Sequence, residues 1–241
     1  PPQLDRWKRL VLTTTRNGSF APSLYSGGTT PCAPTWVDAS GANRTHGAQT
    51  AAMTFNSSVP KDVTLYVSDS IGASGSFVPG GNTAIERISI PDNGLRLNTI
   101  NANSAGDLNS TCTFSAADMK RLAPAVASAL YFIGPNAIVL DNTVLTTLTG
   151  LTALILNGSS TPALNLALAT NLTSFSQTLV GLSVANVNAT LQALDANGKS
   201  AGSCNLTQYK AAPAIAAAPP SGAGITSKAN LISRGWTVAT D

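Results

Sequence analysis

The sequence predicts a mixed fold: an antiparallel β-sandwich over residues 1–74, then a degenerate repeat-like α/β solenoid over residues 75–241. Three features predict it. In the first third, apolar and polar residues alternate along short stretches bounded by Gly and Pro, the period of a half-buried strand. Leucines then recur every third residue from Leu145 to Leu154. Near the end, residues 187–209 and 225–241 both read as a helix, a glycine stop and a strand.

The sandwich strands are expected at VLTTT (11–15), PTWVDAS (34–40), AAMTFNS (51–57) and DVTLYVSD (62–69). The last is the clearest, with Val63, Leu65 and Val67 on one face and Thr64, Tyr66 and Ser68 on the other. Turns fall at Asn17-Gly18, Gly27-Gly28, Gly41 and Pro60-Lys61-Asp62, where Gly, Asn and Pro supply the backbone angles that turns require. From about residue 84 short strands alternate with helical or turn segments. Ile88-Ser89-Ile90 precedes an Asn-rich loop at 98–110. The segment 115–130 reads as a helix capped by Ser115 with Asp118 three residues on, although Pro124 removes a backbone donor in its middle. A buried strand follows at Ala137–Leu140. In the closing unit Ser221 is the expected cap, Ile225, Leu231 and Ile232 are expected to face inward, and Gly198 and Gly235 end their helices. Aligning Cys204-Asn205-Leu206 with Trp236-Thr237-Val238 gives a period of about 32 residues.

Two resemblances attach to these residues. Thr35-Trp36-Val37-Asp38, Gly41, Met53-Thr54-Phe55 and Val63–Asp69 resemble a polycystic kidney disease (PKD) type domain, which implies an immunoglobulin-like sandwich of the extracellular kind. Ala39-Ser40-Gly41 stands where that family has a second aromatic and a further Gly-Asp. Leu145, Leu148, Leu151, Leu154 and Leu156, followed by Asn157, resemble a leucine-rich repeat, with Ser159 in the slot where the family's Asn is expected. That implies an L-x-L strand with the remaining leucines turned inward. The ending SGAGITSKANLISRGWTV is similar to tails of repeat-bearing proteins from marine bacteria and their phages.

Composition narrows the function classes. Hydrophobic residues make up 43% of the 241 and charged residues only 10%, so the surface is polar without being charged. The net charge of +3 is scattered apart from a cluster at Arg6, Lys8 and Arg9, which is too little basic surface for nucleic acid. No apolar run approaches the roughly 20 residues of a membrane helix. The Pro1-Pro2 start without Met is read as following removal of a residue or a longer leader. Cys32, Cys112 and Cys204 show no metal or redox spacing and are read as three buried thiols, or as a Cys32–Cys112 bridge with one thiol left over.

Catalytic groups are scarce. The one histidine, His46, lies in the polar stretch ANRTHGAQ, read as a solvated loop, and no G-x-S-x-G elbow or phosphate loop is present. The acids sit mainly in turns and caps, leaving glycan cleavage by a carboxylate pair as a minor reading. Asp38, Asp62 and Asp69 at loop edges are the residues a calcium site would draw on, with structural turn roles preferred. Eight N-x-S/T sequons, at Asn17, Asn43, Asn56, Asn109, Asn157, Asn171, Asn188 and Asn205, reflect an Asn-, Ser- and Thr-rich composition. No catalytic residue, cofactor or metal ligand is assigned.

The expected role is therefore non-enzymatic: a structural protein of a phage particle, as capsid decoration, fibre or tail component, partnered by copies of itself, by other virion proteins and by host-surface glycan. The alternative is a secreted or cell-surface bacterial module that recognises glycan or protein. The residues nominated for an interface are Trp236 and Val238, on a last strand expected to form an edge covered by another chain.

Overall fold

The computed structural model describes residues 7–26, 30–31, 35–39, 43–46, 53–68, 75–78, 84–97, 99–101, 108–122, 128–137, 139–140, 143–159, 164–178, 181–207 and 218–241. Its strands in chain order are β1 Trp7–Thr14, β2 Gly18–Phe20, β3 Ser23–Ser26, β4 Thr30–Pro31, β5 Thr35–Ala39, β6 Asn43–His46, β7 Met53–Phe55, β8 Lys61–Ser68 and β9 Gly75–Val78. They continue as β10 Ile85–Ser89, β11 Thr99–Asn101, β12 Leu108–Phe114, β13 Ala129–Ala137, β14 Val139–Leu140, β15 Ala153–Ser159, β16 Ser174–Ser176, β17 Ser203–Asn205 and β18 Thr237–Ala239. Helices occupy Ala116–Met119, Thr143–Thr147, Val184–Ala196 and Ala223–Ser233, with a 3-10 turn at Leu166–Leu168. The fold is mixed α/β, with antiparallel pairing early in the chain and parallel pairing later. No helix among the described residues is long and apolar enough to cross a membrane.

A seven-stranded sheet runs in the order β14-β12-β10-β1-β8-β5-β6. Its antiparallel half forms because β8 alternates cleanly: Val63, Leu65 and Val67 are buried, and opposite them on β1 Leu10 and Leu12 are fully buried. Beyond β1 the pairing changes character. β10 is antiparallel to β1, whereas β12 and β14 run parallel to β10. The ladder β1–β10, and the ladder β3–β9 in the second sheet, both join strands from either side of residue 74.

The second sheet has nine strands in the order β18-β17-β16-β15-β13-β11-β9-β3-β4. From β9 to β18 its neighbours follow chain order and every pairing is parallel. The register lines up like residues: Leu130, Leu154, Phe175, Cys204 and Val238 are successive partners across five strands. The first four of these are buried, and Val238 packs against the same core. Leu145, Leu148, Leu151, Leu154 and Leu156 are all buried, at 5% exposure or less, so the every-third-residue spacing does turn its leucines inward. Phe114 of β12 meets Phe132 of β13 edge to face at 6.3 Å, joining the two sheets through one continuous core.

Several expectations are corrected. The stretch around His46 is a strand, β6, paired with β5 so that His46 lies opposite Trp36. Within the stretch 98–110, expected as an Asn-rich loop, Thr99–Asn101 form β11 and 108–110 open β12. Of the helix expected over 115–130, Ala116–Met119 forms one helical turn and Leu130 belongs to β13, while 123–127, with Pro124, lie outside the described residues. Ser115 does cap that turn, its hydroxyl accepting from the Asp118 amide at 3.1 Å. Asp118 also accepts from the Ile90 amide at 2.7 Å, so the turn serves to hold the end of β10 rather than to start a long helix. The turns at Gly27-Gly28 and Gly41, and Cys32 and Asp69, lie outside the described residues. Cys112 and Cys204 are free buried thiols.

Candidate interaction surface

The parallel strands repeat one backbone device. The carbonyl just before each strand accepts amides from the following strand's start: Ser128 O from Thr152, Thr152 O from Thr173, Thr173 O from Ser203 and Gly202 O from Thr237, all at 2.8 or 2.9 Å. With inward positions occupied by Leu, Phe and Cys, the alternate positions face the other way, exposed in part apart from the buried Ser176. Ser174, Ser203 and Thr237 form one outward row, in which the Ser203 hydroxyl bonds that of Ser174 at 3.1 Å. Tyr131 and Ile155 stand half-buried in the neighbouring row that ends at Asn205 and Ala239.

The last two units, 181–207 and 218–241, are held together by polar side chains. Asn188 accepts from the Ser221 amide at 3.0 Å and donates to the Ser221 hydroxyl at 3.2 Å. Asp195 pairs with Arg234 at 2.7 Å and accepts from Asn230 at 2.9 Å, while Arg234 also donates to the carbonyls of Lys199 and Asp195. Partial burial would raise the Asp195 pKa, but the hydrogen bonds from Asn230 and Arg234 together with the Arg234 charge outweigh it and hold the carboxyl below its ordinary value. Gly198 and Gly235 end their helices at φ +68° and +82°, the left-handed region that favours glycine.

Trp236 is 4% exposed. Its indole N–H donates to the Lys199 carbonyl at 2.8 Å, and its ring lies over Gly202, where a Cβ would sit 2.6 Å from ring carbons. Nominated from the sequence for an interface, it is an anchor between units of its own chain and precedes β18. Val238 lies in β18, which ends the nine-stranded sheet. Ser221 does not cap the last helix: the cap is Gly222, which makes no side-chain bond, and Ser221 is engaged by Asn188. Of the three residues expected to face inward, Leu231 is fully buried, whereas Ile225 and Ile232 are 57% and 51% exposed.

The chemistry-bearing residues are mostly committed to structure. Asp92 accepts from both the backbone and the guanidinium of Arg9, a bond that holds its carboxyl below the usual carboxylate range. Asp62 accepts from the Thr13 hydroxyl at 2.7 Å; the side chain of Asp38 and the whole of Asp69 lie outside the described residues. Burial pushes the Cys112 and Cys204 thiols up to about 12, far from a reactive thiolate. No group of three or more His, Cys, Asp or Glu that could hold a metal occurs among the described residues. No family profile, curated protein or solved structure matches this chain.

Proposed function

We propose that this chain is a non-enzymatic structural protein of a phage particle, a capsid decoration, fibre or tail component, that works by stacking and attachment. Its fold in that reading is an immunoglobulin-like sandwich over 1–74 joined to a leucine-rich-repeat-like stack over 75–241. The observation that carries the structural role is the chain-ordered run of parallel strands from β9 to β18, whose last three strands carry the uncharged hydroxyl row Ser174, Ser203 and Thr237. Such a surface loses little hydration free energy when another surface covers it, because few charges must be desolvated. A non-catalytic role is further supported by Asp92, Asp118 and Asp195, each bound into the scaffold. The phage location rests on the resemblance of the closing segment. Sedimenting particles from the producing culture and probing them with an antibody to this protein tests it. Recovery with the particles supports the reading; recovery only as free protein overturns it.

A second reading, a secreted or cell-surface module, is favoured by one observation: the half-buried Tyr131 and Ile155 flank the hydroxyl row Ser174, Ser203 and Thr237. An aromatic ring beside aligned hydroxyls suits the apolar face and hydroxyl edge of a sugar. Binding of a surface polysaccharide that is lost in Tyr131→Ala would favour this reading over the virion.

A further inference from the structure

Helix Ala223–Ser233 repeats helix Val184–Ala196 at a constant offset. The buried residues Val187, Thr190 and Leu194 correspond to the buried Gly224, Ser227 and Leu231, and Gly198 corresponds to Gly235, each 37 residues on. The same offset carries Asn188 onto Ile225 and Asp195 onto Ile232. Asn188 and Asp195 are the side chains by which the earlier unit grips the later one. The face that holds a neighbour through polar bonds in the penultimate unit is thus apolar and uncovered in the last, with Ile225 and Ile232 more than half exposed. A further unit carrying an Arg equivalent to Arg234 would meet Ile232 instead of a carboxylate.

We propose that this face binds a second copy of the chain across a two-fold axis. Three features select that occupant. Ile225 and Ile232 are two helical turns apart, so reversing the helix exchanges them and each meets the other on the opposite copy. The face between them is apolar where it is exposed: Ala229 lies one turn on from Ile225, and the only ionisable residue of the helix, Lys228, directs its ammonium to the Thr240 hydroxyl at 2.7 Å. With that one ammonium directed to Thr240, the face offers its own copy apolar side chains rather than opposed like charges. The same axis serves the strand. Thr237 and Ala239 direct their backbone groups to β17, as the Thr237 amide on Gly202 and the Leu206 amide on Ala239 record, so the ladder turns those of Val238 outward. Two Val238 residues related by the axis then exchange both hydrogen bonds as an antiparallel pair. The dimer so formed joins the two sheets at β18 and buries the two isoleucine pairs alongside.

This inference rests on the self-assembling role proposed above, and its test separates the two. Sedimentation velocity of the full chain should show a dimer. Ile225→Asp and Ile232→Asp, at exposed positions that leave the circular dichroism spectrum native, should each raise the dissociation constant about tenfold or more. Mixing the single variants Ile225→Cys and Ile232→Cys under mild oxidation should give a covalent dimer, and neither variant alone should. A monomeric wild type, a dimer indifferent to both Asp variants, or cross-linking of one Cys variant with itself would overturn the inference. Asp variants that lose the dimer yet still sediment with particles leave both proposals standing. A dimer formed as described by a protein that never accompanies particles supports this inference and removes the phage role alone.

Discussion

Residues 7–68 and residues 181–241 solve the same problem, burying an apolar face, by opposite routes. In the first, β1 lies inside its sheet between β8 and β10, partners drawn from residues 61–89. Removing one strand there unsettles two neighbours and a long loop of chain. In the second, unit 181–207 is followed directly in space by unit 218–241, and the last contacts run through one helix pair, one three-residue ladder and a few polar bonds. Stability in a stack of this kind is a sum over nearest neighbours. The contrast predicts that unit 218–241 opens alone, whereas the β1 region opens only with the whole sheet.

The largest effects test that contrast directly. Leu12→Ala and Leu194→Ala each truncate a fully buried side chain and should each cost about 2–5 kcal/mol. Hydrogen exchange distinguishes where the loss is felt. Leu12→Ala should lower protection throughout the seven-stranded sheet, and Leu194→Ala should lower it in β17, β18 and the two last helices while β1 and β8 keep theirs. Equal loss in both regions from Leu194→Ala would break the comparison.

Gly202→Ala comes next. A Cβ at this position would lie 2.6 Å from the Thr173 carbonyl oxygen and 2.6 Å from the Trp236 ring. Neither a laddered carbonyl nor an anchored indole yields freely, so a loss of about 1–3 kcal/mol is expected in a denaturant titration. Wild-type stability would show that the last unit shifts without penalty. Trp236→Phe removes both the N–H that serves the Lys199 carbonyl and the fused-ring carbons that cover Gly202, and about 1–3 kcal/mol should be lost from the melting of the same end. An unchanged melt would mean that water replaces the indole.

Legibility in the sequence follows the range of the interactions. The alternation of Val63, Leu65 and Val67 and the spacing of Leu145, Leu148 and Leu151 are local, and all six residues are buried as their periods indicate. The stops at Gly198 and Gly235 are readable because a left-handed residue leaves a local mark. The end of the first turn at Met119 and the place of Leu130 in β13 are not, since both are set by contacts with other strands rather than by local period. At the candidate surface Val238 does lie on the strand that ends the sheet, but Trp236, nominated with it for an interface, packs within its own chain, and nothing local reveals that Lys199 and Gly202 meet it. The exposure of Ile225 and Ile232 carries a signal that the strand alignment obscures. The ladder pairs Cys204 with Val238, an offset of 34 residues, while the helices repeat at 37; only the helix offset sets those isoleucines against Asn188 and Asp195.

The smallest effect concerns the ion pair that closes the last unit. Because Asp195 titrates below its ordinary value of 3.8 in the folded chain, its protonated form is favoured more by the unfolded chain. The contribution is therefore fully present above that ordinary value and is lost as pH falls through the lower folded value. Asp195→Asn keeps the shape and one acceptor but not the charge that Arg234 meets at 2.7 Å, so at neutral pH it should lower stability by about 1 kcal/mol. The gap between wild type and variant should close as the pH of the melt drops below 3.8. Asp92→Asn, at a carboxylate likewise held down by Arg9, should show the same convergence, but with loss of protection in β1 rather than β18. If both variants instead loosened the same set of amides, the two ends of the molecule would be one cooperative unit and the nearest-neighbour picture of the stack would have to be given up.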